Sequence, residues 1–468
     1  MKKHSQTKSA VVIGASMAGL FTARVLSNHF DKVYLVERDP IVDQAEPRKS
    51  QPQAHHAHLL LAKGLDIMIS YFPNLLDILR NSGAIICDPG QNMVWNCYGD
   101  YRKPFSLGKQ NVFVSRPFLE WKIRQQVMNL KNLEVISGNA VDHLVTDQNR
   151  QQVSGVKVIT PLNNKNSITI ESDLVVDTTG RGSRSGKWLE QLGYQKPNES
   201  KVSCGTGYTT RIYRRNPEVS GATKWVAITP DAPKEQRGGA ALPVEDDRWV
   251  VSLTGWHGNH APNNEADFQN FAKSLPAPDI YNIISHNKPL SEFFVHKFPS
   301  SFRRHYEKLT RFPQGYLVLG DAVCSFNPVY GQGMTSAILQ SAALDNLLKE
   351  RKGVLKNIAK PYFRRIAKVI DIPWQTAVGE DFRYPQTIGK KRLGTDLINL
   401  YLSYVHHTTH SDPVVCKVLI EVLNLIAPPR YLFKPEIIGR VFRNALWQHW
   451  PKSEPVRQLE NGQPIEKV

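Results

Sequence analysis

The chain has 468 residues, 41% hydrophobic and 22% charged, which is globular composition and long enough for two or three packed units. Its 59 lysines and arginines against 42 aspartates and glutamates leave a net charge of +17, a balance that suits anionic ligands or surfaces. Five cysteines without a C-x-x-C pair argue against a disulfide framework or a thiolate zinc site, and no apolar run reaches the ~18–20 residues of a membrane span.

Met1-Lys2-Lys3-His4 precedes an apolar run that soon breaks into glycines; it reads as a first strand rather than a signal peptide, and a cytoplasmic protein is expected. Ala10-Val11-Val12-Ile13 suits a strand buried on both faces. It leads into Gly14-Ala15-Ser16-Met17-Ala18-Gly19, then a helical stretch through Leu26, then a second apolar run, Lys32 to Val36, ending in Glu37-Arg38. This is a βαβ unit with the dinucleotide fingerprint G-x-G-x-x-G, Ser16 standing at the middle glycine. Gly14 permits the tight turn, Gly19 brings helix and strand together, and the helix start offers free N–H groups to a pyrophosphate. Glu37 is placed to accept from ribose hydroxyls, which disfavours a 2′-phosphate and favours FAD or NAD.

Two further strand ends carry small residues. Leu174 to Asp177 runs into Thr178-Thr179-Gly180-Arg181-Gly182, where backbone can approach a nucleotide. Leu317-Val318-Leu319 runs into Gly320-Asp321-Ala322, and Asn327-Pro328-Val329-Tyr330-Gly331-Gln332-Gly333-Met334 then opens a helix. There Asp321 can accept from a ribityl hydroxyl, and the Gly331–Gly333 helix start directs N–H groups at a flavin ring. One extended ligand explains all three.

With these motifs the chain resembles the FAD-dependent monooxygenases of the aromatic-hydroxylase and squalene-epoxidase type, from about residue 8 to 345. The resemblance implies an α/β fold: a Rossmann-like FAD domain with a central parallel sheet (1–84, 116–195 and 300–345), an inserted antiparallel-sheet substrate domain (85–115 and 196–299) and a C-terminal helical region (346–468). It also implies that Arg116, in Ser115-Arg116-Pro117-Phe118-Leu119-Glu120, starts a helix beside the FAD, and that Arg48 lies in a mobile loop reaching the flavin. The expected cofactor contacts are thus Gly14, Ala15, Ser16, Ala18, Gly19, Glu37, Arg38, Arg48, Arg116, Gly180, Gly320, Asp321, Pro328, Gly331, Gly333 and Met334. Asp177-Thr178-Thr179-Gly180 departs from the Asp-Gly of aromatic hydroxylases toward the version seen in reductases and halogenases. Val323-Cys324 stands where those hydroxylases carry a histidine.

The activity implied is an FAD monooxygenase drawing electrons from NAD(P)H and epoxidising or hydroxylating a lipophilic small molecule through a flavin C4a-hydroperoxide. The alternative is a flavin reductase of isoprenoid double bonds, similar to geranylgeranyl reductases. Halogenases are disfavoured, because Ile372-Pro373-Trp374 reverses the order of their W-x-W-x-I-P signature. Flavin supplies the hard chemistry, so no catalytic side chain is assigned. No nucleic-acid module is recognisable.

The remaining segments offer walls and a cover. Strand-like runs from Val202 to Lys297 suit an antiparallel sheet, with Trp225, Trp249 and Trp256 as candidate pocket walls. His55-His56-Ala57-His58 lacks a carboxylate partner and suits flavin contact, substrate contact or packing better than a metal; no metal is expected. Cys324 suits packing. Glu380, Asp381 and Arg383 suit an ion-paired contact or a substrate-facing wall. From residue 351 onward 19 basic residues face 10 acidic ones, and Pro428-Pro429 divides the segment from Val415 to Trp450 into two amphipathic helices. These are expected to pack on the FAD domain over the substrate entrance. A second option lays the later helix on an anionic membrane, with Trp447 and Trp450 at its interface.

Overall fold

The computed structural model describes residues 7–160, 163–216 and 225–449. The first strand, β1 (Ser9–Ile13), has Ala10, Val11 and Val12 fully shielded, because it lies in the middle of a five-stranded parallel sheet. On one side of it lie Leu174–Asp177 and then Tyr316–Val318; on the other lie β2 (Lys32–Glu37) and then Leu133–Ser137. The register pairs Ile13 with both Asp177 and Val36, and Asp177 with Val318, so four strands end at one level. All three glycine-rich segments leave the sheet from that carboxyl edge, where open α/β sheets take their ligands.

Helix α1 (Met17–Leu26) and the helix Gly333–Glu350 cover one face of this sheet, joined by a hydrogen bond of 3.0 Å between the Thr22 and Ser341 hydroxyls. A second sheet has seven strands, nearly all antiparallel: Phe294–Lys297, Gly207–Arg214, Arg248–Gly255, Arg237–Val244, Trp225–Thr229, Met93–Cys97 and Asp100–Tyr101, in that spatial order. Met93–Cys97 enters it parallel to Trp225–Thr229. Alternation along Arg248–Gly255 sends Trp249, Val251 and Leu253 into a core under the helices Glu265–Lys273 and Asp279–His286, and turns Ser252 and Thr254 to the opposite face.

That opposite face is roofed by C-terminal helices. Pro413–Leu423 inserts Cys416 and Ile420 among Met93, Trp225 and Leu242 of the second sheet and Phe113 of the short strand Asn111–Phe113 beside it. The first of the two expected helices thus sends Cys416 and Ile420 to the face of Met93–Cys97 and Trp225–Thr229, and Val415, Leu419 and Val422 to the neighbouring C-terminal helices, which corrects the expectation that its stripe packs on the FAD domain. Pro435–His449 packs its Ile437 and Val441 with Val405 of Thr395–Thr408. Thr395–Thr408 and the loop before it leave a stripe outside: Leu393 fully exposed, Leu397 73% and Leu400 56% exposed, and Tyr404 beyond them. Among the described residues no helix is long and apolar enough to cross a membrane.

Candidate functional site

Between the carboxyl edge of the parallel sheet, the second sheet and the roof lies a cavity of about 1380 Å³, larger than the ~300–1,000 Å³ of a usual ligand pocket. One end is built from the three glycine motifs. Gly14 has φ +98° and rests on Thr178, whose hydroxyl donates to the carbonyls of Ile13 (2.7 Å) and Gly14 (3.1 Å). A Cβ on Gly14 would meet Thr178 at 3.3 Å, so a side chain there is barred by the second motif and the left-handed backbone, not by lack of room for a phosphate. Gly19 is tighter, because its Cβ would sit 1.7 Å from the Gly14 carbonyl oxygen. Asp177 is a structural knot: it accepts from Thr179 N (2.8 Å), Ser183 Oγ (2.6 Å) and the Ser185 hydroxyl.

The third motif faces the second across a short gap. A Cβ on Gly180 would lie 3.9 Å from Asp321 Cβ, and one on Gly333 would lie 4.0 Å from Asp321 Oδ1. Asp321 borders the cavity with its carboxyl enclosed by protein, which pushes its pKa up to about 6 against the opposing pull of Arg181 and Arg116. Gly331 takes φ +65° just before the helix start. The Gln332 cap position carries no side-chain cap, and Gln332 Oε1 is buried without a partner.

Beneath the first turn lies a buried charge network. Glu37 accepts from Ala15 N at 2.7 Å and pairs with Arg48 Nη1 at 2.9 Å. Arg48 Nη2 donates to the Ala15 carbonyl (2.9 Å) and to Glu120 Oε1 (2.7 Å). Arg116 Nη2 donates to Glu120 Oε2 (2.8 Å) and to Ser16 Oγ (3.0 Å). Arg116 and Glu120 are one turn apart on the helix Arg116–Met128, the i,i+4 spacing that brings side chains together. Arg116 Nη1 is buried without a partner although Arg116 borders the cavity. That free donor, with the uncapped helix starts, fits an anionic dinucleotide.

Gly14, Ser16, Ala18, Glu37, Arg38, Arg116, Gly180, Asp321, Pro328, Gly331, Gly333 and Met334 line the cavity, whereas Ala15, Gly19 and Gly320 stand behind it as the turn's frame. Arg48 corrects the expectation of a flavin-reaching arginine: it is 7% exposed and locked under the first turn, while Ser50 to Gln53 of its segment reach the cavity instead. The reason is electrostatic, since Glu37 and Glu120 both need a buried cation. Glu120 was the member that motif reasoning missed, though its spacing from Arg116 was open to view.

At the other end, Trp225 and Trp256 line the cavity, and Trp95 joins them. Trp249 does not, because strand alternation turns it into the opposite core. His56 and His58 line the middle. Burial first, then neighbouring His296 for one and Arg116 for the other, lowers their pKa values to about 3 and about 4, so both are neutral near pH 7. His56 Nδ1 is 2.8 Å from Thr210 Oγ1. Cys324 is 1% exposed within the first core. Arg383 grips Glu380 at 2.7 Å, and Asp381 Oδ1 accepts from Asn327 Nδ2 and Tyr330 OH, both at 2.9 Å; Glu380 also borders the cavity. Trp450 and the Trp447 side chain lie outside the described residues.

No protein-family model matches the chain. It is 31% identical over 470 residues to "Protein Rv3254" of Mycobacterium tuberculosis, covering 97% of this chain and 96% of that one. Among solved structures it is similar to a flavoprotein/dehydrogenase from Cytophaga hutchinsonii (TM-score 0.68, 15% identity, 95% of this chain and 99% of that one). It is also similar to p-nitrophenol 4-monooxygenase PnpA from Pseudomonas putida DLL-E4 (TM-score 0.62, 14% identity, 90% and 99%) and to the flavin-dependent brominase Bmp2 (TM-score 0.61, 14% identity, 94% and 98%). The fold is that of flavin-dependent monooxygenases and halogenases.

Proposed function

The chain belongs to the family of protein Rv3254, and from that premise we propose that it is an FAD-dependent monooxygenase that inserts one oxygen atom, by epoxidation or hydroxylation, into a lipophilic small molecule with electrons from NAD(P)H. The observation that carries this reading is the convergence of Gly180, Asp321 and Gly333 within about one side chain's reach of each other, at the sheet edge where the Gly14 turn also ends. The free N–H groups at the start of α1 and the unpartnered Arg116 Nη1 would hold the pyrophosphate. Glu37 would accept from the ribose, Asp321 from the ribityl chain, and the Gly333 helix start would donate to the ring edge. Bound there, reduced FAD supplies two electrons and activates dioxygen toward electron-rich carbon. The chain's own part is to orient and to exclude water: Trp95, Trp225 and Trp256 give apolar walls, and His56 and His58, held neutral, add donors and acceptors without a charge.

The test is anaerobic reduction of the purified yellow protein by NADPH and by NADH, then return of oxygen with and without an alkene or phenol. Oxygen-dependent reoxidation coupled to an oxygenated product is expected. Reduction of the alkene with no oxygen uptake would replace this reading with an isoprenoid reductase. A colourless protein that does not take up FAD would end both.

We also propose that the C-terminal helices rest on an anionic bilayer surface. Leu393, Leu397, Leu400 and Tyr404 recur at i, i+4, i+7 and i+11 on the outside, with Phe442 and Leu446 exposed on the neighbouring helix. Lys390, Lys391 and Arg392 precede the stripe. Arg392, Leu393, Ile398 and Phe433 also border the cavity, so an apolar substrate could enter from lipid. Basic residues near such a surface add ~1 kcal/mol each.

A further inference from the structure

Resting on that oxygenase reading, we propose that Arg102 is the anchor for a carboxylate on the substrate, which makes the substrate class an apolar carboxylic acid. Arg102 is 3% exposed and borders the cavity. Its Nη1 donates to Thr409 Oγ1 at 3.2 Å, and its Nη2 to His406 Nδ1 at 2.9 Å and to Cys97 Sγ at 3.2 Å. Its Nε is buried without a partner. Every group it donates to is neutral. Burial raises the pKa of the Cys97 thiol and pushes that of Cys416 to about 11, and burial together with Arg102 itself holds the His406 pKa well below the histidine range.

Six arginines among the described residues are buried: Arg48, Arg102, Arg116, Arg124, Arg215 and Arg303. Five have a carboxylate oxygen within 4.0 Å; Arg102 has none among the described residues. Nearby acids are otherwise engaged. Glu380 is held by Arg383. Asp412 caps the Pro413 helix and pairs with Arg440. Asp100 is exposed and accepts from Tyr101 N. A buried cation without a counter-charge is costly, and here it borders a ligand cavity, where a ligand can supply the missing anion. The unpartnered Nε–H suits one carboxylate oxygen as a charge-assisted hydrogen bond.

The wall beside it describes the rest of the ligand. The Arg102 guanidinium lies 4.3 Å from the centroid of Trp95. Trp95 meets Trp225 at 5.5 Å edge-on, and Trp225 stacks on Phe113 at 6.1 Å. All three rings line the cavity, and Phe113 stands three residues before Arg116, which reaches the first glycine turn. An aromatic run thus leads from the anion anchor to the cofactor end, and an apolar body would span it.

The experiment titrates the FAD-loaded protein with a matched pair, 4-phenylbutyrate and 4-phenyl-1-butanol, following tryptophan fluorescence and flavin absorbance without reductant. Wild type should bind the acid at least tenfold more tightly. Arg102→Met should lose that preference while keeping the flavin spectrum, and Arg102→Lys should keep part of it. A role confined to packing would lower the melting temperature and leave the preference unchanged. Equal binding of acid and alcohol by wild type, binding of neither, or a preference surviving in Arg102→Met would overturn the proposal. Should the methionine variant not fold, Arg102→Lys carries the assignment, and a full wild-type preference in it would overturn the proposal. No turnover is involved, so an acid preference in a protein that fails to oxygenate would retain the anchor and discard the oxygenase.

Discussion

The two ends of the cavity treat buried positive charge in opposite ways. At the glycine end, Arg48, Arg116 and Arg124 share Glu37 and Glu120, so the network is nearly self-sufficient before any ligand arrives. At the aromatic end, Arg102 stands among thiols, a hydroxyl and a neutral imidazole. The first arrangement builds a rigid seat whose charges are largely balanced before a cofactor binds. The second leaves part of its electrostatic balance to whatever enters, and that is how a pocket discriminates between ligands.

Four measurements sharpen or break this contrast, beginning with the largest effect. Gly19→Val forces a Cβ into the Gly14 carbonyl and must displace α1. A loss above ~4 kcal/mol, the range of exceptional substitutions, and a colourless protein are expected; chemical denaturation and absorbance check both. Glu120→Gln removes the carboxylate shared by Arg48 and Arg116, and breaking a buried pair costs about 3–5 kcal/mol. Retained stability in that variant would mean that the seat is not self-sufficient through Glu120.

Asp321→Asn should weaken FAD by roughly one to two decades, the equivalent of a lost charge-assisted hydrogen bond of ~1.5–3 kcal/mol. Its effect on the apoprotein has the opposite sign. The folded carboxyl has a pKa near 6, above its unfolded value, so the folded state binds the extra proton between about pH 4 and 6 and carries a burial penalty above that window. The asparagine variant should therefore melt higher than wild type at pH 8, with the gain shrinking as pH falls below 6. Apoprotein melting curves across that range give the answer. The smallest effect is expected at the outer surface. Leu397→Glu with Leu400→Glu should abolish sedimentation with anionic vesicles at low salt and leave FAD binding unchanged. If wild type fails to sediment, or the stripe instead mediates a concentration-dependent dimer, the bilayer proposal falls.

The glycine end was legible in the sequence because its constraints are local. A turn with positive φ, a helix start and a strand-end acid all announce themselves within a few residues, and three such segments agreed. Even there, the resemblance places Arg48 at the flavin, whereas its partners Glu37 and Glu120 come from separate segments and hold it under the turn. The aromatic end is assembled from residues as distant as Trp95, Trp225 and Ile420, and nothing in the local pattern says which will meet. Trp249 illustrates the loss. Whether it faces cavity or core depends on a one-residue phase along its strand, and that phase is set by the helices packed beneath.

Asp381 closes the long helix Ala359–Asp381 and holds both Asn327 and Tyr330 of the third glycine segment. The boundary at residue 345 is therefore not a place where the chain can be cut. A truncated protein lacking the helical cover would also lose the fastening of the loop that leads to Gly331 and Gly333. Flavin retention and an intact C-terminal helical region should then rise and fall together in limited proteolysis, and a single nick near residue 381 should bleach the protein although every glycine motif survives uncut.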